Sequence, residues 1–454
     1  MSELGFAGKK VFVYGLGRSG FALAAALYAD GAEVHAYDKK GIDSVLSVPQ
    51  GQKLFAKNTV YFADEGLADF SSFDAFFKSP GIPMDDPLVQ KAIEAKLPIM
   101  GDIDLLFRRE PNALFVGITG TNGKSTTTAL IGHILEKSGK KVAVGGNLGT
   151  ACLNLEKEQD IYVIELSSYQ LETMYEAKMD IGILLNLTPD HLARHGDMAH
   201  YLKEKLRIFN QDENTVRVIG VDNKELKDIA ATLNATTVSV DSTDAHIIVT
   251  DDGLLKEGDA TLLDFREFSH LPGKHNWQNI ACAYAAIKGL VHLKTFKESV
   301  MSFSNLAHRM EKIATYKGVT FYNDSKATNP DSAIRALESV SNVFWICGGE
   351  AKEEGIKPCL THLSNVKAAF VIGKNREEFM HDLDGKVQAF DCETMEAAIY
   401  KIWQRYEVSG LDTATVLLSP ACASWDQYNS FEHRGDQFVT LCHGLIGRLQ
   451  EQNG

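Results

Sequence analysis

Short apolar runs of four to six residues alternate with longer stretches in which apolar residues recur at helical spacing, along the whole chain. That alternation predicts α/β units built on parallel sheets. The first run, Lys10-Val11-Phe12-Val13-Tyr14, leads through a glycine turn into an alanine-rich helix. Strands follow at Val34–Tyr37, ending on Asp38, and at Phe73–Phe77, running into Ser79-Pro80-Gly81. A second unit contains strands at Leu114–Val116, Val142–Val144, Tyr162–Ile164 and Ile181–Leu185. A third has a hairpin around Lys317-Gly318 and strands at Val343–Ile346, Ala369–Ile372 and Val416–Leu418. We therefore expect an α/β protein of three modules, residues 1–102, 103–306 and 307–454.

Length and composition fit this picture. A chain of 454 residues exceeds what one core usually serves. A formal charge of −14 gives no electrostatic reason to approach nucleic acid or an anionic membrane, so an anionic substrate must be held by local donors. Seven scattered cysteines without a CxxC pair suggest reduced thiols and no zinc site. No leader or membrane span is apparent, which predicts a cytoplasmic protein.

The strongest chemical signal follows the strand at Leu114–Val116: Gly117-Ile118-Thr119-Gly120-Thr121-Asn122-Gly123-Lys124-Ser125-Thr126, then a helical pattern. Glycines let backbone N–H groups turn toward a phosphate, and the helix N-terminus adds its positive end. Lys124 suits the β/γ-phosphates and the Ser125 hydroxyl a magnesium ion. A bare strand-to-helix turn needs a glycine but not Gly-Lys-Ser-Thr. Glu165, at the end of another strand, is placed to hold Mg²⁺ against ATP oxygens, although a lone acid there is more often solvated. His191, after Asn186-Leu187-Thr188-Pro189-Asp190, reads alone as a surface or capping histidine, and Lys205 as one more cation on an amphipathic helix over Tyr201–Phe209. A second glycine motif, Gly15-Leu16-Gly17-Arg18-Ser19-Gly20 with Asp38 downstream, has the spacing of a dinucleotide fingerprint. It keeps an NAD-linked oxidoreductase open as a rival reading, and a nucleotide-gated binding protein without turnover is another.

The phosphate-loop variant resembles that of the Mur ligase superfamily, and the similarity continues through Glu165-Leu166-Ser167-Ser168-Tyr169-Gln170-Leu171-Glu172, Asp190-His191, Gly273-Lys274-His275-Asn276, His308-Arg309-Met310-Glu311, Asn323–Asn329 and Ser419–Gln427. Together with the glycine motifs, the resemblance implies an N-terminal Rossmann-like domain, a central P-loop ATPase-like domain and a C-terminal Rossmann-like domain. The resemblance implies an ATP- and Mg²⁺-dependent ligase that joins D-glutamate to UDP-N-acetylmuramoyl-L-alanine through an acyl phosphate, acting as a monomer in peptidoglycan synthesis. A related ligase taking another amino acid is the nearest alternative. It implies ATP contacts at Gly120, Thr121, Asn122, Gly123, Lys124, Ser125, Thr126, Asn276, Asn279, Arg309, Asp324 and Lys326. Ser125, Glu165, His191 and Lys205 would hold magnesium, Lys205 as a CO₂-derived carbamate; Lys124, Glu165, His191 and Lys205 would be the catalytic set. The first glycine motif becomes a uridine-diphosphate site, with Arg18, Ser19, Asp38 and Lys39 beside it and Gly146, Asn147 and Ser167 along the path to the reacting end. Thr328, Lys352, Ser424 and Phe431 would receive D-glutamate. The chain departs from the family's pattern at Ala193, where an acid or amide is usual, and at Glu350-Ala351. ATP is expected between the central and C-terminal modules, whose closure would complete the site.

Overall fold

A computed structural model describes residues 5–55, 60–62, 69–209, 214–268, 271, 273–303, 306–351 and 355–451. Its backbone forms three sheets. The first is wholly parallel and runs in space Val60–Phe62, Glu33–Tyr37, Lys10–Tyr14, Ala75–Lys78, Ile99–Met100. One face packs Val11 and Val13 against Leu23 and Leu27 of helix Arg18–Ala29, while the other is an aromatic layer of Phe12, Phe70 and Phe76. Burial on both faces explains why these strands read as near-continuous apolar runs. The third strand starts at Ala75 rather than Phe73. Asp69 caps a short 3₁₀ turn, Phe70–Ser72, and Phe73 turns its ring onto Phe12.

The second sheet has nine strands, in the order Ala260–Asp264, Leu254–Glu257, Ile247–Val249, Thr236–Ser239, Val216–Gly220, Ile181–Leu184, Leu114–Thr119, Ile161–Glu165, Val142–Gly146. Seven are parallel, and the last two in sequence fold back as an antiparallel hairpin on the edge. The strands from Val216 onward go beyond the four expected. They are short and mixed in polarity, so their pattern is weak. The third sheet runs Glu311–Tyr316, Val319–Asn323, Ala414–Leu418, Val343–Gly348, Val366–Ile372, Ala389–Glu393, with only its first pair antiparallel. That hairpin turns on Lys317 (φ 47°) and Gly318 (φ 82°), two left-handed residues as a tight turn between twisted strands requires.

By contacts the chain divides into two compact units. One comprises residues 1–264 and 278–303 with the first two sheets; the other comprises 265–277 and 304–454 with the third. All seven cysteines are buried and unpaired. No helix among the described residues is long and apolar enough to cross a membrane.

Candidate active site

The middle of the nine-stranded sheet builds the centre of the first unit. Strand Leu114–Thr119 is buried between two parallel neighbours, and its carboxyl end delivers the glycine loop to the start of helix Lys124–Lys137. Gly123 begins that helix at φ +83°, and a Cβ there would stand 2.3 Å from Asn279 Oδ1. Only glycine fits both constraints. The next strand over braces the loop. Asn122 N–H donates to Asn186 Oδ1 (2.9 Å), Asn186 Nδ2 returns a bond to the Asn122 carbonyl (3.1 Å), and Thr121 Oγ1 donates to the Thr188 carbonyl (3.1 Å). Lys124 curls over its own loop, donating to the carbonyls of Gly120 (2.9 Å) and Thr121 (2.7 Å). Ser125 and Thr126 are buried in the first helical turn.

Glu165 ends the adjacent strand, Ile161–Glu165, and is 2% exposed. Its Oε1 accepts from Asn147 Nδ2 at 2.7 Å, whereas its Oε2 is buried without a hydrogen-bond partner. A buried carboxylate oxygen left unpaired is costly, and a divalent cation bound there would satisfy it, so this oxygen suits a magnesium ligand. Gly146, at φ +102°, lets the chain pass this strand end, since a Cβ would meet the Glu165 carbonyl at 2.4 Å.

His191 is held at φ 56°, and its Nδ1 lies 3.0 Å from the Tyr169 hydroxyl while Nε2 lies 3.5 Å from Asp190 Oδ2. Hydrogen bonding at one ring nitrogen fixes the orientation of the other, as metal-binding histidines need. Lys205 comes from helix Met198–Leu206, which ends earlier than the expected Phe209 and passes into a 3₁₀ turn, Arg207–Phe209. Far from being a surface cation, Lys205 is 1% exposed. Its Nζ donates to the Gly120 carbonyl (2.8 Å) and lies 4.5 Å from the centre of the Tyr201 ring. Burial, reinforced by the nearby Lys124 charge, holds its pKa well below the usual lysine range against the opposing pull of Asp190 and Glu165.

A cleft of about 860 Å³ joins these groups to the first module. The first module lines it with Gly15, Arg18, Ser19, Asp38, Lys39 and the loop Ser79–Ile82, and the nine-stranded sheet's module with Lys124, Gly146, Asn147, Ser167, His191 and Lys205. Every residue expected around the uridine diphosphate therefore lines one cavity with three of the four expected catalytic residues, and Asn147 links it to the fourth, Glu165. The glycine turn is tightly built. Gly15 sits at φ +88°, a Cβ on Gly20 would strike the Gly15 carbonyl at 1.8 Å, and Asp38 accepts the backbone N–H of Leu16 (2.7 Å) and of Lys40 (2.9 Å). Lys39 Nζ is anchored on Asp86 Oδ2 (2.8 Å), which also accepts from the Tyr14 hydroxyl (3.1 Å).

The second unit groups most of the remaining candidates. Asp324 is buried, accepts from Ser419 Oγ (2.8 Å) and Met310 N (3.2 Å), and burial pushes its pKa up to about 7. Lys326 Nζ rests 3.7 Å from the centre of the Phe431 ring. Thr328 follows on the same loop, and Ser424 is buried on the segment between Ser419 and Phe431. Arg434 binds these segments together. Fully buried, it donates to the Ser325 hydroxyl (3.0 Å), the Ser325 carbonyl (2.8 Å) and the Cys422 carbonyl (3.0 Å). Arg309 is half-buried beyond the left-handed His308, and Asn276 is buried near the start of helix Lys274–Ile287; Asn279, farther along that helix, belongs to the first unit, as does Gly123 beside it. Lys352 lies outside the described residues.

Sequence reasoning gave no role to Tyr169, Tyr201, Asn186 or Asp190. Tyr201 stands four residues before Lys205, on the same helical face, so its place beneath the amine was open to inference. Tyr169 and Asn186 act on partners far away in sequence, whereas Asp190 meets its chain neighbour His191.

Comparisons with known proteins identify the family. Family models match residues 9–101 (Mur ligase MurD-like, N-terminal domain), 118–287 (Mur ligase middle domain) and 308–422 (Mur ligase, glutamate ligase domain). Proteins named UDP-N-acetylmuramoylalanine--D-glutamate ligase are similar over nearly their whole length. That of Paramagnetospirillum magneticum is 41% identical, covering 96% of both chains, and that of Caulobacter sp. strain K31 is 40% identical, covering 97% of both. Among solved structures, the fold is shared with a MurF ligase from Thermotoga maritima in complex with ADP (TM-score 0.62, 16% identity, 97% of this chain and 96% of that one). A UDP-N-acetylmuramate-alanine ligase from the same organism gives 0.59 at 17% identity, over 96% and 99%. With its N-terminal, middle and C-terminal domains each matched, and with relatives about 40% identical over nearly the whole chain, the chain belongs to the Mur ligase family.

Proposed function

We propose that this protein adds D-glutamate to UDP-N-acetylmuramoyl-L-alanine at the expense of ATP, as a monomer in the cytoplasm. The observation that carries the reading is the single cleft in which the Gly15–Gly20 turn faces Lys124, His191 and Lys205. The turn and the N-terminus of helix Arg18–Ala29 suit a diphosphate, with Arg18 and Lys39 as local cations in an otherwise anionic protein. The phosphate loop receives the ATP triphosphate on its backbone N–H groups, and Lys124, released from the Gly120 and Thr121 carbonyls, neutralises charge at the transferring phosphate. Ser125, Glu165 and His191 would hold magnesium, which when bound supplies positive charge to the phosphoryl oxygens and the substrate carboxylate.

The L-alanyl carboxylate attacks the γ-phosphorus in line, ADP leaves, and an acyl phosphate forms. The amine of D-glutamate then attacks that carbonyl, the tetrahedral intermediate expels phosphate, and an amide remains. Neither step needs a covalent enzyme nucleophile, consistent with seven buried cysteines. Thr328, Ser424, Phe431 and Lys352 are assigned to the incoming amino acid. Asn276, Asn279, Arg309, Asp324 and Lys326 are assigned to the nucleotide.

The low pKa of Lys205 supports its carbamylation. A neutral amine adds CO₂ and releases a proton, turning a buried cation into an anion fit to join the metal ligands. Phosphate release with UDP-N-acetylmuramoyl-L-alanine, ATP and a panel of D- and L-amino acids tests the whole. Turnover confined to D-glutamate is expected. Preference for another amino acid would reassign the chain within the family, and a substrate-dependent NADH absorbance change would revive the oxidoreductase.

A further inference from the structure

Lys78 closes strand Ala75–Lys78 of the first module, and its side chain is fully buried. A lysine is rarely placed so without a task, because desolvating an ammonium costs several kcal/mol. Its Nζ donates to the Ile82 carbonyl at 2.7 Å and stands 3.8 Å from Glu172 Oε2. Glu172 belongs to the central module and is almost completely buried. Arg194 grips it with two bonds, Nε to Oε1 (3.2 Å) and Nη2 to Oε2 (2.6 Å). The same Arg194 Nη2 also donates to the Ile82 carbonyl (2.8 Å). One carboxylate and one carbonyl are thus each shared by two cations that come from different modules.

Both ends of this cluster reach the reaction cleft. Gly81 and Ile82 form part of its wall. Arg194 lies over the Tyr169 ring (4.9 Å to the centroid), and the Tyr169 hydroxyl meets His191 Nδ1. We infer that Lys78 is a positioning residue for the nucleotide-sugar substrate: with Glu172 and Arg194 it staples the loop Ser79–Ile82 to the helix Leu192–His195, fixing the cleft wall and the setting of His191. The inference rests on the cleft holding the UDP substrate. A purely structural ion pair would make a different prediction, namely that removing Lys78 weakens folding and degrades all kinetic constants alike.

The test is steady-state phosphate release by the full chain, varying each substrate in turn, beside thermal unfolding and UDP binding by calorimetry. Lys78→Met should raise KM for UDP-N-acetylmuramoyl-L-alanine by roughly tenfold. KM for ATP and for D-glutamate should stay within about twofold and kcat within about threefold, and Tm should fall only slightly, because Glu172 and the Ile82 carbonyl both keep Arg194 as a partner. Lys78→Arg, which keeps the charge, should recover most of the loss. Because Lys78 and Glu172 serve one staple, adding Glu172→Gln to Lys78→Met should cost much less than the product of the two single effects. An unchanged KM for the UDP substrate would overturn the inference, and so would a parallel decline of every constant with Tm. If Lys78→Met does not fold, Glu172→Gln alone must show the same selective rise in KM. Failure of the wild-type chain to turn over this substrate would sink the proposed function instead, and UDP calorimetry on the variants would still decide the role of Lys78.

Discussion

Glu165→Gln separates the cost of the metal site from its use. The Glu165 Oε1 is paired with Asn147 and the Oε2 is buried with no hydrogen-bond partner among the protein's own groups. Glutamine keeps the acceptor for Asn147 and replaces an unpaired charged oxygen with a neutral amide. A buried unpaired polar group costs about 1–3 kcal/mol, and more when charged, so the exchange should stabilise the metal-free protein by about 1–2 kcal/mol. At this chain length that corresponds to a Tm rise of about 1–2 °C in EDTA. Magnesium with an ATP analogue should then reverse the order. The wild type gains about 2.7 kcal/mol when the ligands stand at about a hundred times Kd, and the variant gains far less. Activity should fall by at least about a thousandfold, the scale of losing a charge-stabilising group in a dry site. Paired thermal melts in EDTA and in magnesium with nucleotide would measure both halves. A variant no more stable than wild type in EDTA would refute the premise that Oε2 is an unsatisfied anion awaiting a cation.

Other perturbations probe neighbouring parts of the site. Lys205→Met should abolish turnover by about a thousandfold, with partial rescue by added acetate or formate, and wild-type activity should decline when CO₂ is stripped from the buffer; undiminished activity in Lys205→Met would exclude any carbamate role. Gly123→Ala forces a side chain into left-handed backbone and against Asn279, so it should cost about 1–3 kcal/mol by denaturant unfolding and weaken ATP at least tenfold by calorimetry. Asp324 has a folded pKa raised to about 7 from 3.8, so the folded state binds more protons between those values, and its contribution is present below pH 4 and lost as pH rises through 7. Asp324→Asn should therefore be the more stable form at pH 8, on the order of a few kcal/mol, with the difference closing toward pH 4 in pH-dependent unfolding.

The parts of this molecule that could be read from sequence are those whose physics is local. The glycine loop, its helix and the strand before it declare themselves through residue types that a phosphate turn demands. The Lys317-Gly318 hairpin is legible for the same reason. The outer strands of the central sheet were not, because runs such as Thr236–Ser239 and Ile247–Val249 gain their strand character from pairing with a sheet already formed. Lys205 shows the limit for sites. Its segment has the look of an exposed amphipathic helix, and only the packing of Tyr201 and the phosphate loop around the amine reveals that it is buried. Lys78 gave no signal at all, since its partners Glu172 and Arg194 lie far along the chain.

Asp38 carries a lesson for anyone redesigning such a turn. It occupies the place where a dinucleotide fingerprint expects an acid for ribose hydroxyls, yet each of its oxygens already receives a main-chain N–H, from Leu16 and from Lys40. The side chain is a keystone before it is a recognition element, and swapping it to change nucleotide preference would loosen the bend it closes. Retargeting should begin instead at Lys39, whose ammonium reaches its anchor from a largely open surface and can be exchanged without unpicking the backbone beneath it.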